Sequence, residues 1–187
     1  MNNNFLTSAI KQFEYYKLLG EKTFAQLQDE KLFWQYNTES NSIATIIKHL
    51  QGNMFSRWTN FLTTDGEKEW RNREQEFEND IQTKKQMITL WNTGWQCLFD
   101  ALHSLPETDL EKIIYIRNQG QTVTEAINRQ LCHYSYHVGQ IVFIGKMICN
   151  RKWQTLSIPK GNSHQYNAEK FANEKHNEHF TDEFKKK

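Results

Sequence analysis

The sequence has 187 residues and a formal net charge of +1, from 23 basic and 22 acidic side chains. This length is enough for one domain with a sizeable core and too short to favour two. The balanced charge gives no field that would attract nucleic acid or an anionic membrane surface. Only two prolines and eight glycines interrupt the chain, which favours a mostly helical protein.

The start of the sequence and its cysteines indicate the cellular compartment. Residues 1–5 contain no basic stretch followed by an apolar one, so no secretory signal is expected. The longest apolar run, residues 141–149, is too short to span a bilayer. Cys97, Cys132 and Cys149 form no C-x-x-C motif, which favours a reducing environment over a disulfide framework. We therefore expect a cytoplasmic protein.

Apolar residues recur at helical spacing in four long stretches. The first covers residues 4–27. The second follows the N-cap candidates at residues 40–42 and ends at a turn predicted for residues 65–66. The third covers residues 81–105 and the fourth residues 123–149. The sequence therefore predicts an all-α protein built as a four-helix bundle.

Three further segments connect or follow these helices. Residues 67–80, which we name the crossover, are densely charged and are predicted to be a solvated connection, for which a partly helical conformation is the alternative. Residues 113–117 and 121–124 favour β structure around a glycine-containing turn and predict a short β-hairpin-like arm before the fourth helix. We expect one domain over residues 1–167 and a charged, poorly ordered C-terminal tail over residues 168–187.

The fourth helix carries a pair of histidines with the spacing of a metal site. His133 and His137 are four positions apart, so on a helix they lie one turn apart on the same face. Two imidazoles at this spacing can share one metal ion. The same face carries apolar residues, which indicates that both rings point inward. Two surface or core histidines that fall at this spacing by chance are the alternative.

A third histidine lies on the buried side of the second helix. His49 follows Ile46 by three positions and precedes Leu50. A buried neutral imidazole needs partners for both ring nitrogens, and a shared ion would satisfy one nitrogen of each ring. We therefore predict a metal site formed by His49, His133 and His137. Three histidines that only pack in the core are the alternative.

The segments around these histidines resemble a known family. They are Ile47-Lys48-His49-Leu50 in the second helix and His133-Tyr134-Ser135-Tyr136-His137-Val138-Gly139-Gln140-Ile141 in the fourth, with further support from residues 49–58, 65–67 and 157–161. Through them the chain resembles the DinB/YfiT-like superfamily of four-helix metal-binding proteins, to about residue 167. It looks nearest to an uncharacterised bacterial branch.

The resemblance implies a divalent metal, usually nickel or zinc, held by His49, His133 and His137, and it implies a homodimer. Characterised relatives include transferases and isomerases that use a low-molecular-weight thiol such as bacillithiol or mycothiol. Others are described as metal-dependent hydrolases. The resemblance therefore leaves a thiol S-transferase, a metal-dependent hydrolase and a non-catalytic metal-binding or stress-related protein as expectations.

The chemistry of a three-histidine site narrows this choice. Three neutral ligands leave the charge of a divalent ion uncompensated and at least one coordination position open. Such an ion brings the pKa of bound water to about 7 and deprotonates a thiol. A hydrolase usually also needs a carboxylate base beside the metal, and no Asp or Glu lies one helical turn from any of the three histidines. Thiol chemistry on a small molecule is favoured, unless a distant carboxylate folds onto the site.

Four residues near the histidines are candidates for supporting roles. Asn53, Gln130 and Gln140 can orient an imidazole or a substrate through hydrogen bonds, or can be ordinary amides lining the bundle. Arg57 lies two turns after His49. It can bind an anionic group of a substrate or form a structural ion pair with the crossover.

Two glycines lie close to the histidines in sequence. Gly52 and Gly139 are each within three residues of a predicted ligand. A residue without a side chain lets another part of the chain come close to the backbone. We therefore expect both glycines to allow the second and fourth helices to approach each other.

Overall fold

The structure, a computed structural model, describes residues 4–185. Within these residues the chain is mostly helical, with six α-helices and one two-stranded antiparallel sheet. The strands are β1 (Ile113–Ile116) and β2 (Gln119–Thr122). The helices are α1 (Asn4–Phe24), α2 (Ile43–Trp58), α3 (Lys84–His103), α4 (Val123–Cys149), α5 (Ser163–Phe171) and α6 (Asp182–Lys185). None of these helices combines the length and the apolar character that crossing a membrane requires.

Side-chain caps fix where the helices around the site begin. The Ser42 side chain accepts a hydrogen bond from the Thr45 backbone N–H at 3.0 Å, as predicted for the start of α2. Thr122 and Glu125 form a reciprocal capping box at the start of α4. The bounds predicted for the fourth helix, residues 123–149, are confirmed.

The end of α2 differs from the sequence prediction. The helix stops at Trp58, well before the turn expected at residues 65–66. Asn60, two residues later, has a φ of 50°, a left-handed conformation that asparagine adopts more readily than most residues and that ends helices. The chain therefore leaves α2 early and runs back along it.

Helix packing brings the inner faces of α2 and α4 together. α2 packs against α3 and α4, and α1 packs against α4. Gly94 on α3 allows close contact, because a Cβ there would lie 3.1 Å from the Cα of Gln51. The shared core contains large buried rings. They include Phe13, Trp91, Trp95 and Tyr134.

The predicted hairpin before the fourth helix is confirmed. Strands β1 and β2 pair in antiparallel register, with Ile116 opposite Gln119. The turn residues Arg117 and Asn118 both have positive φ, which suits a tight two-residue hairpin turn. Asp65 accepts hydrogen bonds from both backbone N–H groups at 2.8 Å. The turn that precedes the crossover is thereby attached to the tip of the hairpin.

The crossover is not simply solvated, and that interpretation is wrong for its central part. The Arg71 and Glu76 side chains are only 2% and 7% exposed. A short 3₁₀ helix, Glu74–Phe77, packs against α2. Burial of these two charges is tolerated because they pair with each other, Arg71 Nε lying 2.7 Å from Glu76 Oε1.

The C-terminal segment contacts the first helix. Lys11 on α1 forms an ion pair with Asp182 at 2.7 Å, and Tyr15 contacts the rings of Phe180 and Phe184. The boundary expected at residue 167 falls inside α5. The division of the chain there and the poor order of the tail stay predictions, and residues 186–187 lie outside the described residues.

Candidate metal centre

The structure brings His49 on α2 together with His133 and His137 on α4. The Nε2 atom of His133 lies 3.4 Å from Nε2 of His49 and 3.1 Å from Nε2 of His137. One nitrogen from each ring lies within 4.8 Å of the other two. His49 is buried and the other two are half-buried. The three rings therefore converge on one point between the two helices.

The outer nitrogen of each ring has a hydrogen-bond acceptor. The pairs are His49 Nδ1 with Glu76 Oε2 at 2.9 Å, His133 Nδ1 with Gln130 Oε1 at 3.4 Å, and His137 Nδ1 with Gln140 Oε1 at 2.8 Å. Carboxylate and amide oxygens only accept, so each Nδ1 carries the hydrogen. Each neutral ring then presents the lone pair of Nε2 to the common point.

The surroundings keep the two α4 rings neutral. Burial, together with the nearby His137 and His49, lowers the pKa of His133 to about 3. Burial also lowers the pKa of His137 to about 4, although its hydrogen bond with Gln140 opposes the shift. Neutral imidazole is the form that coordinates metals. At neutral pH both rings are therefore in the ligating state.

The spacing of the Nε2 atoms fits a divalent ion. Imidazole nitrogens bind such ions at about 2.0–2.1 Å, and two ligands of a tetrahedral ion at that distance are about 3.3 Å apart. The separations of 3.1 and 3.4 Å are close to this value. The two separations that involve His133 therefore match the spacing of neighbouring ligands on one metal ion.

Glu76 is the residue near the site that sequence reasoning missed. Its carboxylate accepts a hydrogen bond from His49 at 2.9 Å. It also accepts two hydrogen bonds from the Arg71 guanidinium, at 2.7 and 2.9 Å. Burial alone would raise the pKa of Glu76, but the hydrogen bonds from His49 and Arg71 lower it overall. Glu76 is therefore ionised, and its hydrogen bond keeps Nδ1 of His49 turned away from the other two histidines.

One signal for this contact was present in the sequence. Phe77 is one of two bulky apolar residues in the charged crossover. Its ring stacks on the His49 imidazole with centroids 4.9 Å apart. The other, Trp70, is 60% exposed. An apolar residue in a charged segment indicates a place where the segment packs against the core. Here the packing of Phe77 also brings the adjacent Glu76 next to His49.

Gly52 and Gly139 do not bring α2 and α4 together, so that expectation is wrong. A Cβ at Gly52 would lie 2.7 Å from the Cδ of Glu76. Gly52 therefore leaves room for the Glu76 carboxylate one turn after His49. A Cβ at Gly139 would meet nothing within 4 Å. Gly139 has no packing role among the described residues.

Asn53 and Arg57 have structural partners. The Asn53 side-chain oxygen accepts from the Tyr134 hydroxyl at 3.1 Å, and that hydroxyl accepts from Trp58 Nε1 at 3.1 Å. Asn53 thus bonds Tyr134, whereas Gln130 and Gln140 bond histidines. Arg57 bonds Glu67 Oε2 at 3.2 Å, so its predicted ion pair with the crossover is confirmed.

A cavity of about 360 Å³ gives access to the histidines. All three rings border it, together with Asn53 and Gln130. This volume lies at the lower end of the range for small-molecule sites, about 300–1,000 Å³. The three histidines therefore lie where a small molecule can reach them.

Residues 4–185 thus form a mostly helical protein with a three-histidine cluster at metal-binding distance. The chain belongs to the family described as "Protein of unknown function (DUF1572)", whose model matches residues 1–162. The matched region contains α1 to α4 and all three histidines. No curated protein and no solved structure matches the chain.

Proposed function

We propose that this chain is a metalloprotein that holds one divalent ion, zinc or nickel, on the Nε2 atoms of His49, His133 and His137. The orientation of the rings carries the proposal. Each Nδ1 has an acceptor partner, so three lone pairs face one point and repel each other unless a cation lies between them. Imidazole ligands suit both metals, and most metal-bound histidines donate their other ring N–H to an acceptor of this kind.

The proposal extends to the fold. We place the chain in the DinB/YfiT-like superfamily, with α1 to α4 as a four-helix bundle. Its support is the packing of α2 against α3 and α4, and of α1 against α4. A site built from side chains on two facing helices is also how bundles hold metals.

For the activity we propose a metal-dependent thiol S-transferase that acts on a small molecule. When bound, a divalent ion with an open position makes a thiol anionic and therefore nucleophilic. The described residues that border the cavity include no Asp or Glu. Glu76 and Glu67, the carboxylates nearby, are engaged by Arg71 and Arg57. The lack of a free carboxylate base supports thiol transfer over hydrolysis.

The residues of the chain then have separate roles. Glu76, Gln130 and Gln140 hold the three rings in the tautomer that presents Nε2 to the ion. Phe77 covers one face of His49 and keeps water from it. The cavity supplies the space in which thiol and electrophile meet.

The test of this activity uses untagged, metal-loaded protein. Bacillithiol and the electrophile chlorodinitrobenzene are mixed with the native chain, with His133→Ala and with His103→Ala, whose histidine is exposed at the end of α3. We expect faster conjugation with the native chain and His103→Ala than with His133→Ala. Hydrolysis of ester substrates without conjugation would instead support the metal-dependent hydrolase, and metal binding without either activity a non-catalytic or stress-related protein.

We also propose a cytoplasmic homodimer. Tyr36, Phe143 and Met147 border one surface cavity and are 73%, 63% and 42% exposed. Exposed apolar side chains grouped in this way are typical of interaction surfaces. Light scattering should give twice the chain mass of 22.4 kDa. A monomer at micromolar concentration would contradict the dimer.

A further inference from the structure

Five arginines from four segments of the chain border the cavity in front of the histidines. Arg57 comes from α2, Arg71 and Arg73 from the crossover, Arg117 from the hairpin turn and Arg129 from α4. No lysine and no acidic residue is among the described residues that border it. Such a concentration is unexpected in a chain whose net charge is only +1.

The carboxylates behind these arginines do not balance their charge. Glu67 Oε2 lies 3.2 Å from Arg57, 3.5 Å from Arg71 and 3.0 Å from Arg117. Glu76 pairs with Arg71. Glu67 and Glu76 thus serve three of the five guanidinium groups, and Arg73 pairs with the exposed Glu74. Five arginines against three carboxylates leave an excess of positive charge at the cavity before any metal ion adds to it.

Several guanidinium donors are also available. Arg57 is 7% exposed, and its Nε is buried without a hydrogen-bond partner. The Arg129 guanidinium forms no hydrogen bond or ion pair with residues 4–185. Arg73 lies over the Phe77 ring at 5.0 Å, and its ion pair with Glu74 is long, at 3.5 Å. A buried donor without an acceptor is costly, and an anionic ligand would remove that cost.

We propose that this cavity recognises its substrate through an oxyanion, a carboxylate or a phosphate, bound by the arginines beside the metal centre. The inference rests on the proposed function, because it names the class of small molecule that the metal centre acts on. Guanidinium groups match the planar, two-oxygen geometry of these anions better than lysine does. The cavity volume of about 360 Å³ limits the ligand to a small molecule.

The experiment measures binding of inorganic phosphate and of acetate by calorimetry, on metal-free and on zinc-loaded full-length protein. The test variant is Arg73→Gln/Arg129→Gln, since both residues are exposed and their loss should leave the fold intact. The control is Arg151→Gln, an exposed arginine just after α4 that does not border the cavity. Circular dichroism checks that all three proteins are equally helical.

We expect the metal-free native chain to bind at least one of the two anions. Affinity should fall about tenfold or more in the double variant, as charge-assisted hydrogen bonds are lost, and stay unchanged in the control. Tighter phosphate binding would identify a phosphate-bearing substrate, and tighter acetate binding a carboxylate. Both outcomes support the arginine site.

Two results would overturn the inference. One is no binding of either anion to the metal-free protein. The other is binding that depends on zinc and is equal in the native chain and the double variant, since the anion would then bind the ion and not the arginines. A different pair of results would refute the metal proposal alone. The protein would then bind anions through the arginines and retain no metal after loading.

Discussion

His49 donates a hydrogen bond from Nδ1 to Glu76 Oε2 at 2.9 Å, although the two residues are 27 positions apart in the chain. This contact fixes which nitrogen of His49 faces the other two histidines. The carboxylate is in turn held by Arg71, so the position of one ring depends on a charged segment that leaves α2 and folds back onto it.

Replacing Glu76 by glutamine should weaken metal binding without removing any histidine. The neutral amide holds Arg71 less well and no longer enforces a hydrogen on His49 Nδ1. Loss of such a partner typically costs about 10–100-fold in metal affinity. Competition with a chromogenic chelator measures this, with Glu78→Gln, an exposed residue of the same segment, as the control. Equal affinities in the two variants would show that Glu76 does not support the site.

The sequence predicts the local part of this site well. The α4 histidines are placed by helical periodicity and by a capping box, both of which act within a few residues. His49 joins them because its helix shows one apolar face, which packing against α4 buries. These features need no knowledge of the connecting segments.

The contribution of the crossover could not be predicted in the same way. Its residues show no periodicity, and their conformation depends on tertiary contacts. Glu76 is buried only because Arg71 pairs with it and Gly52 leaves space for it. Asp65 similarly binds a hairpin turn more than 50 residues away. A charged segment is usually expected to be solvated. Here the charged side chains are buried because they pair with each other inside the fold.

Gly52 offers a second test of the Glu76 contact. In Gly52→Ala the new Cβ would lie 2.7 Å from the Glu76 Cδ, so the carboxylate must move away from His49. We expect metal affinity to fall about as far as in Glu76→Gln, within the range of 10–100-fold. The chelator competition again gives the measurement.

Gly139→Ala is the matched control, because a Cβ there meets nothing within 4 Å. Alanine is a better helix former than glycine, so this change should raise the free energy of unfolding by up to about 1 kcal/mol and leave metal affinity unchanged. If both glycine variants bind metal equally well, Gly52 has no role in placing Glu76.

The stability of the metal-free protein should depend on pH through the α4 histidines. In the unfolded chain their pKa is 6.5, whereas in the fold it is about 3 for His133 and about 4 for His137. Between these values the unfolded state binds more protons, so acid favours unfolding. We expect the free energy of unfolding to be retained above pH 6.5 and to fall as the pH drops toward 4.

Urea denaturation of chelator-treated protein at a series of pH values measures this dependence. The comparison is His133→Ala/His137→Ala, which lacks both titrating groups. We expect a shallower loss of stability with acid in the double variant. The same slope in both proteins would mean that these two histidines are not held neutral by the fold.

Elemental analysis of protein purified without a histidine tag measures whether His49, His133 and His137 together hold one metal ion. His133→Ala removes the ligand whose Nε2 lies between the other two, and His103→Ala removes an exposed histidine elsewhere. We expect about one zinc or nickel ion per chain in the native protein and in His103→Ala, and almost none in His133→Ala. A native chain that retains no divalent metal after loading, or a His133→Ala variant that retains as much as the native chain, would show that these three histidines do not form a metal site.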